Sequence, residues 1–359
     1  MKKILFSLSF LLILISFLEA KEKISALYIP SADHYAAIVA YEKYSTEMKY
    51  ADFQIMQMKN WDLLSAYFLN KKVDMAFVMA PLALDMYHKN PYFKWIGLIH
   101  RNGNALAINE ELNMFVKLEG KRENRKPDSK VADAIQSIYN QSYKSIQVGL
   151  PHLKSTHAVI LYKYLKDNGV GIAFIPHQNA EVLGISIDQQ KSLSFIKIKN
   201  ARATAAAFEQ SLPWIDLVES EDNGKIAWYS KDVMKHKGGH LGCITLAKNS
   251  TIKNKFMALN EVIYYIQKAG ADIEDARRNN PKALEDIVNI IRKHIKEHTR
   301  EAIIASLDFK LNVINYKNLN IDKPGLKQIM DYALEAGVIK NKIDIEEFAD
   351  DSFSQKGVK

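Results

Sequence analysis

The 359-residue sequence predicts an α/β fold of two lobes, with mixed sheets, flanking helices and a helical C-terminal region. Two observations carry this. Strand-like and helix-like patterns alternate in two separate series, and such alternation builds parallel βαβ units. After the second series the pattern turns helical to the end of the chain.

In the first series Ile24–Ile29 alternates as a strand does, Pro30–Asp33 breaks the pattern, and His34–Met48 reads as a helix. Phe53–Met58 is a second strand, and Asn60 is a good N-cap for a helix over Trp61–Asn70. Val73–Met79 is nearly all apolar, as a strand covered on both faces is. Pro81 starts a helix running to about His88, Trp95–Ile99 is a fourth strand, and Leu106–Ile108 continues extended. Glu119–Lys130 is dense in charge and holds Gly120 and Pro127, so it reads as an exposed loop. Its basic cluster of Lys121, Arg122, Arg125 and Lys126 reads as a solvated surface, and no nucleic-acid partner is expected.

The second series opens with the strand Ile146–Gly149, punctuated by Gly149 and Pro151. Ala158, Leu161, Tyr162 and Leu165 then share one helix face. Ser155, Thr156 and His157 stand where that helix begins, where backbone N–H groups lack partners and the dipole is positive. Two readings stay open here: Ser155 or Thr156 caps the helix, or the helix start receives a small anionic or polar ligand. Ile172–Ile175 and Leu193–Ile198 read as strands, Ala201–Glu209 as a helix, and Lys225–Tyr229 and Leu241–Leu246 as extended. Helices follow over Thr251–Ala269, Lys282–Ser306 and Gly325–Ala336, with Gly337 suited to a helix end. The order fits one lobe of residues 21–106 and 230–359, with a second lobe of 107–229 inserted into it. A ligand in such a design sits between the lobes.

Lys2, Lys3, the apolar run Ile4–Leu18 and Ala20 read as a signal peptide over 1–20, which makes the product an exported, periplasmic protein. Removing Lys2, Lys3 and Glu19 takes the formal charge from +8 to +7, a surplus spread over many lysines. Cys243 is the single cysteine, so there is no intramolecular disulfide and no cysteine cluster for zinc; a buried, inert thiol is expected.

The segments after the strands supply hydrogen-bonding and aromatic groups, the mix that a polar-ligand cleft uses. Ser31, Asp33, His34 and Tyr35 follow the first strand, Trp61 the second, and Asn102–Asn104 the fourth. Thr156, His157, Gln210, Pro213 and Trp214 follow in the second series. Each also has a structural reading: Trp61 and Trp214 as core or lobe-contact aromatics, His34 and His157 as satisfied buried histidines, Asn104 as a turn residue. Catalytic templates are absent. The chain has no G-x-S-x-G, H-E-x-x-H or G-x-x-x-x-G-K-[ST], and no G-x-G-x-x-G after the first strand. His236 and His240 are spaced as a helical metal pair, but Gly238 and Gly239 between them disfavour a helix. No catalytic residue, metal or cofactor is expected.

Several segments together resemble the periplasmic solute-binding proteins of ABC importers, in the nitrate/sulfonate/bicarbonate, NMT1/THI5-like group. Ala32–Ala40 looks like that family's first helix, and Trp61–Ala76 like its W…L…L…G-x-I-D-x-A segment, with Lys71-Lys72 where glycine is usual. Ala80–Leu84 and Asn102–Leu106 match the next two segments. Leu150–His157 looks like the P-G-G-T-H-N turn, Phe208–Trp214 like the E-P-W segment, and Leu326–Val338 like the closing helix. The resemblance implies a two-lobed, non-enzymatic clamp of the type-2 periplasmic binding protein fold. It would act as a monomer, close on a small polar, anionic compound of the nitrate, sulfonate or bicarbonate class, and deliver it to a membrane permease. It implies ligand contacts at Trp61, Asn104, Thr156 and His157, to which the residues themselves add His34, Gln210 and Trp214. Leu212 stands where nitrate and bicarbonate binders carry a charged residue, which speaks against calcium-assisted bicarbonate binding and against a lysine-held nitrate. A periplasmic ligand sensor for a membrane-bound signalling partner is the alternative on the same clamp.

Overall fold

The structure is a computed structural model that describes residues 20–70, 72–176 and 179–355. The expected signal peptide, except for Ala20, lies outside the described residues. In chain order the strands are β1 (Glu22–Tyr28), β2 (Ala51–Gln57), β3 (Met75–Met79), β4 (Phe93–Leu98), β5 (Arg101–Asn102), β6 (Asn104–Asn109), β7 (Ile146–Leu150), β8 (Ile172–Ala173), β9 (Val182–Ser186), β10 (Ala206–Ser211), β11 (Gly224–Tyr229), β12 (Cys243–Lys248) and β13 (Ile314–Asn315). They form a five-stranded sheet ordered β2-β1-β3-β12-β4, a six-stranded sheet ordered β11-β6-β10-β7-β9-β8, and the small pair β13-β5.

In the first sheet β1 pairs in parallel with β2 and β3, and helices Tyr35–Tyr44 and Trp61–Asn70 make the crossovers that parallel strands require. All five residues of β3 are buried, as its apolar run predicts for a strand with neighbours on both sides. The strand β12 returns from far along the chain and inserts antiparallel between β3 and β4. In the second sheet β10 lies parallel to β7 and antiparallel to β6. The ends of the two sheets carry the residues discussed below: the C-terminal ends of β1, β2 and β4, the start of β12, the start of β6 and the end of β10.

Two chain crossings join the sheets, β4 to β6 and β11 to β12, and they are tied to each other. The Asn102 N–H donates to His240 O at 2.9 Å, and the His240 N–H donates to Asn102 Oδ1 at 2.9 Å. Gly239, with φ +103°, gives the Asn102 side chain the room that a Cβ would take. The C-terminal helices pack on the first sheet. Helix Phe256–Asn279 lies along Tyr35–Tyr44. Phe348 seats its ring 4.6 Å from Tyr87 and 6.2 Å from Trp95. Among the described residues no helix is long and apolar enough to cross a membrane.

Five sequence expectations change. Thr251–Ala269 spans two helices, Asn249–Asn254 and Phe256–Asn279. Leu193–Ile198 is part of a helix, Ser192–Ala201, in which Ser192 and Ile196, one helical turn apart, are the buried positions. The apolar and β-branched residues Leu193, Phe195, Ile196 and Ile198 imitated a strand, and tertiary packing overrode that preference. The alanine-rich Ala201–Glu209 holds the central strand β10, all six residues of which are buried between β6 and β7. Alanine's helix propensity lost to that burial. Glu119–Lys130 is no purely solvated loop: Arg125 is buried, and Arg122 and Arg125 ion-pair with Asp216 and Glu219. Lys282–Ser306 is two helices, Pro281–His294 and Arg300–Ser306.

Candidate functional site

Where the sheet ends meet, side chains from both sides form one buried polar shell. The turn after β1 delivers Asp33 and His34, the segment after β2 Trp61, the crossing after β4 His100, and the start of β12 Cys243. Opposite them stand Asn104 at the start of β6, Glu209 and Ser211 at the end of β10, and His157 at the start of helix Thr156–Asp167. Each of these is at most 2% exposed. Asn104 and Ser211 are directly paired across the β6–β10 ladder.

Hydrogen bonds fix the protons in this shell. The Ser211 hydroxyl donates to Asp33 Oδ2 at 2.7 Å, which joins the two sides directly. With that proton spent, Ser211 Oγ accepts from His157 Nε2, 3.0 Å away, and His157 Nδ1 is left with a bare lone pair. His34 Nδ1 lies 2.7 Å from the Ile29 carbonyl, which can only accept, so Nδ1 carries the proton and Nε2 is bare. His100 Nε2 accepts from the Cys243 N–H at 2.9 Å, so its proton is on Nδ1. The approach is close: a side chain at Gly242 would run into the His100 ring. At Gly103, with φ +99°, a Cβ would lie 3.1 Å from His100 Nδ1 and 3.3 Å from Asp33 Oδ1.

The same shell contains polar atoms with no hydrogen-bond partner among the described residues: Asp33 Oδ1, His34 Nε2, Trp61 Nε1, His100 Nδ1, Asn104 Nδ2, His157 Nδ1 and both Glu209 carboxyl oxygens. A buried polar group left without a partner costs about 1–3 kcal/mol. The concentration of such groups at the junction of the two lobes makes this shell the candidate ligand site.

Burial pushes His34 down to about 4 and His100 down to about 3, and holds His157 well below the ordinary histidine range, so all three rings are neutral at pH 7. Burial raises Asp33 to about 6, against the pull of His34 and Ser211, and leaves it charged at neutral pH. Burial and the nearby Asp33 push Glu209 well up. Burial, with Asp33 beside it, also pushes the Cys243 thiol well up, which removes the thiolate a nucleophile needs. Asp33 therefore brings a formal negative charge to the shell. No lysine or arginine among the described residues answers it: Asp33 Oδ1 lies 3.7 Å from neutral His100 and Glu209 Oε2 4.0 Å from neutral His157. Arg101, on the crossing, is spent on Asp322, Gly239 O and Asn318 O.

Donor atoms of Asp33, His100 and Cys243 lie within 4.8 Å of one another, a set that could in principle hold a metal ion. In the present arrangement the Cys243 N–H covers the Nε2 lone pair and Nδ1 carries the proton, so His100 offers no open lone pair.

The structure brings His34, Trp61, Asn104 and His157 of the predicted residues into the shell. Trp61 stands with its ring centroid 6.0 Å from that of His34. It turns the other three to other partners. Thr156 Oγ1 donates to Gly242 O at 3.1 Å, a contact between the lobes, while Ser155 caps the helix by accepting from the Ala158 N–H at 3.0 Å. Gln210 lies between Glu209 and Ser211 on a strand, where alternate side chains face opposite ways. Its Nε2 reaches Ile187 O at 3.4 Å and its Oε1 accepts from the Ser211 N–H at 3.2 Å. Trp214 donates its indole N–H to Pro30 O at 2.7 Å and stacks edgewise on His298. Leu212 is buried and contributes its carbonyl, which accepts from the Ala32 N–H at 2.8 Å. Sequence reasoning passed over His100, Glu209 and Ser211; it placed Asp33 among the polar groups after the first strand without carrying it to the ligand set, and read Cys243 as a buried thiol. Position after β1 and β4 marked Asp33 and His100. Glu209 and Ser211 were hidden because Ala201–Glu209 was read as a helix, which conceals a period of two.

A sequence model of the NMT1-like family matches residues 19–291. No curated protein sequence matches the chain. Among solved structures, the ligand-binding component of an ABC-type import system from Staphylococcus aureus, with zinc bound, superposes with a TM-score of 0.70 at 17% identity, covering 93% of this chain and 98% of that one. The periplasmic nitrate-binding protein NrtA from Synechocystis PCC 6803 gives a TM-score of 0.74 at 13% identity, over 93% of this chain and 87% of that one. The periplasmic aliphatic sulphonate-binding protein SsuA from Escherichia coli gives 0.64 at 11%, over 94% and 95%. At these identities the likeness to solved structures is one of fold: the chain has the two-lobed periplasmic binding protein fold, and by its sequence it belongs to the NMT1-like family.

Proposed function

We propose that this chain is the periplasmic ligand-capturing component of an ABC importer, a monomer that closes on a small polar compound and delivers it to a membrane permease. The observation that supports this most is the shell of buried, unpartnered polar atoms contributed from both sides of the lobe junction. Closing such a shell around a polar compound excludes water and strengthens every hydrogen bond inside it. Binding then selects the closed state, in proportion to the ligand's preference for it. Lobes of 21–106 with 230–359 and of 107–229 fit the two sheets, with the junction segment 104–106 already in β6. A chain exported by the leader 1–20 would meet its ligand in the periplasm.

A binding role rather than catalysis is supported by the state of Cys243, a neutral buried thiol with its neighbouring histidine engaged elsewhere. The fold by itself hosts many functions and decides nothing on this point. Nitrate, sulfonates and bicarbonate are the ligands that the family resemblance suggests, and the shell's missing positive charge weighs against them.

The test is a thermal-shift screen of the mature chain followed by small-angle scattering. A cognate ligand at ~100 times its dissociation constant adds about 2.7 kcal/mol of stability, reduces the radius of gyration and is recovered unchanged. Turnover of the ligand by the protein alone overturns the proposal.

A further inference from the structure

The unpartnered atoms of the shell divide by hydrogen-bonding sense. His34 Nε2 and His157 Nδ1 present bare lone pairs, because the opposite nitrogen of each ring has its proton committed, to Ile29 O and to Ser211 Oγ. Asp33 Oδ1 is a carboxylate oxygen, and Glu209 adds one carboxyl oxygen that accepts and a second that donates when the group is protonated. Beside these stand three neutral N–H donors, those of Trp61, Asn104 and His100. All belong to side chains at most 2% exposed.

An anion placed here would bring a second negative charge beside a buried carboxylate that no lysine or arginine neutralises, and it would leave two imidazole lone pairs facing its own. Like charges in a site of low dielectric repel strongly. A ligand that donates N–H bonds reverses each of these terms. One positive charge pairs with Asp33, and N–H groups meet His34, His157 and Glu209. The donors of Trp61, Asn104 and His100 remain for an acceptor or a π face of the same ligand.

We infer that the shell selects a small protonated nitrogen base, an amidinium, guanidinium or ammonium compound, rather than an anion. This rests on the reading of the shell as a ligand site and names the chemical class it takes. Asp33 is then the charge partner, and His34 and His157 are specificity residues that accept N–H bonds only while their rings stay neutral.

The experiment uses matched pairs of equal size and planar shape but opposite charge and hydrogen-bonding sense: acetamidinium against acetate, and guanidinium against nitrate, with methanesulfonate added. Each is titrated by calorimetry into the mature chain at pH 7.5, up to tens of millimolar, and scattering is recorded at the highest concentration. The cation of each pair is expected to bind at least ~10-fold more tightly than its anion and to contract the protein. Asp33→Asn should weaken cation binding at least ~10-fold without improving the fit of acetamidinium elsewhere. Tighter binding of nitrate, acetate or methanesulfonate overturns the inference and leaves the binding-protein reading standing. Equal acetamidinium affinity in a folded Asp33→Asn variant also overturns it. Absence of binding and of contraction with every probe overturns both readings. The matched pairs need only the unmodified chain, so a variant that fails to fold does not blunt the test.

Discussion

Two buried groups of ionisable side chains in this chain handle charge in opposite ways. Arg125 sends its guanidinium to both Glu219 oxygens at 2.9 and 3.0 Å and to the carbonyls of Ile226, Gly120 and Glu119. Arg122 adds Asp216 at 2.6 Å. Burial alone would raise the Glu219 carboxyl, yet Arg125 and Arg122 hold it below its ordinary range. At the lobe junction Asp33 and Glu209 are buried more deeply, no lysine or arginine among the described residues meets them, and both are pushed up. The Arg125–Glu219 pair completes its bonds and holds the chain together, although Asp216 beside it keeps Oδ2 open and is raised to about 6 by burial. The junction leaves lone pairs and N–H groups open from both sides at once and has no such ion pair, the arrangement on which the proposed ligand site rests.

Breaking the paired cluster should have the largest effect. Arg125→Met leaves Glu219 buried without its main partner and should cost about 3–5 kcal/mol of stability, read by urea unfolding, with ligand affinity unchanged in whatever fraction remains folded.

The unpaired cluster should show itself in the pH dependence of stability. His34 and His240 are held at about 4, and His100 and His298 at about 3, by burial in the folded chain. The unfolded chain takes up those protons below about 6.5. Their contribution is therefore complete above pH 6.5 and is lost as pH falls toward 4 and then 3. Asp33 and Asp216, raised to about 6 by burial, act in the opposite sense: they favour the folded state at low pH, and that contribution is lost as pH rises from about 4 to 6. With His157 also held well below its ordinary range and Glu209 also pushed well up, five histidines stand against three carboxylates, so denaturation midpoints should fall from pH 6.5 to pH 4. A midpoint that rises over this window would show the histidines to be protonated in the folded state.

Asp33→Asn sharpens the comparison. It removes the uncompensated charge, so the ligand-free protein should be as stable as the parent or more so, whereas ligand affinity should fall by about 10- to 100-fold, the loss of a charged hydrogen bond. Matched urea and calorimetric titrations separate the two effects. Arg125→Met and Asp33→Asn should thus move stability and affinity in a crossed pattern.

The smallest effect is expected at Trp214. Trp214→Phe loses the bond to Pro30 O, worth about 1 kcal/mol, and should leave affinity within about twofold, because the indole N–H is already committed within the chain.

The two clusters also differ in how far the sequence disclosed them. The alternating elements of residues 24–99 were legible because strand and helix periods differ, and because Asn60 caps the second helix and Pro81 opens the third. His34, Trp61, Asn104 and His157 were legible because each follows or opens an element at a sheet end. Glu209 and Ser211 were not, since the alanines of 201–207 favour a helix in isolation and only the pairing of β10 with β6 and β7 makes them a strand. The Arg122 and Arg125 pairs were not, since their acceptors Asp216 and Glu219 lie about 94 positions away and no local pattern connects them. Gln210 was chosen over its neighbours because a loop presents every side chain, whereas a strand presents every second one.

The central claim is that the buried junction between the lobes is where the ligand is held. Small-angle scattering on the mature chain and on a Trp61→Ala, Asp33→Asn double variant, each with and without saturating acetamidinium, tests it most directly. The account predicts that the parent contracts when the ligand is added and that the folded double variant keeps its ligand-free radius at the same concentration. Equal contraction of both proteins would contradict it and place the ligand away from this shell.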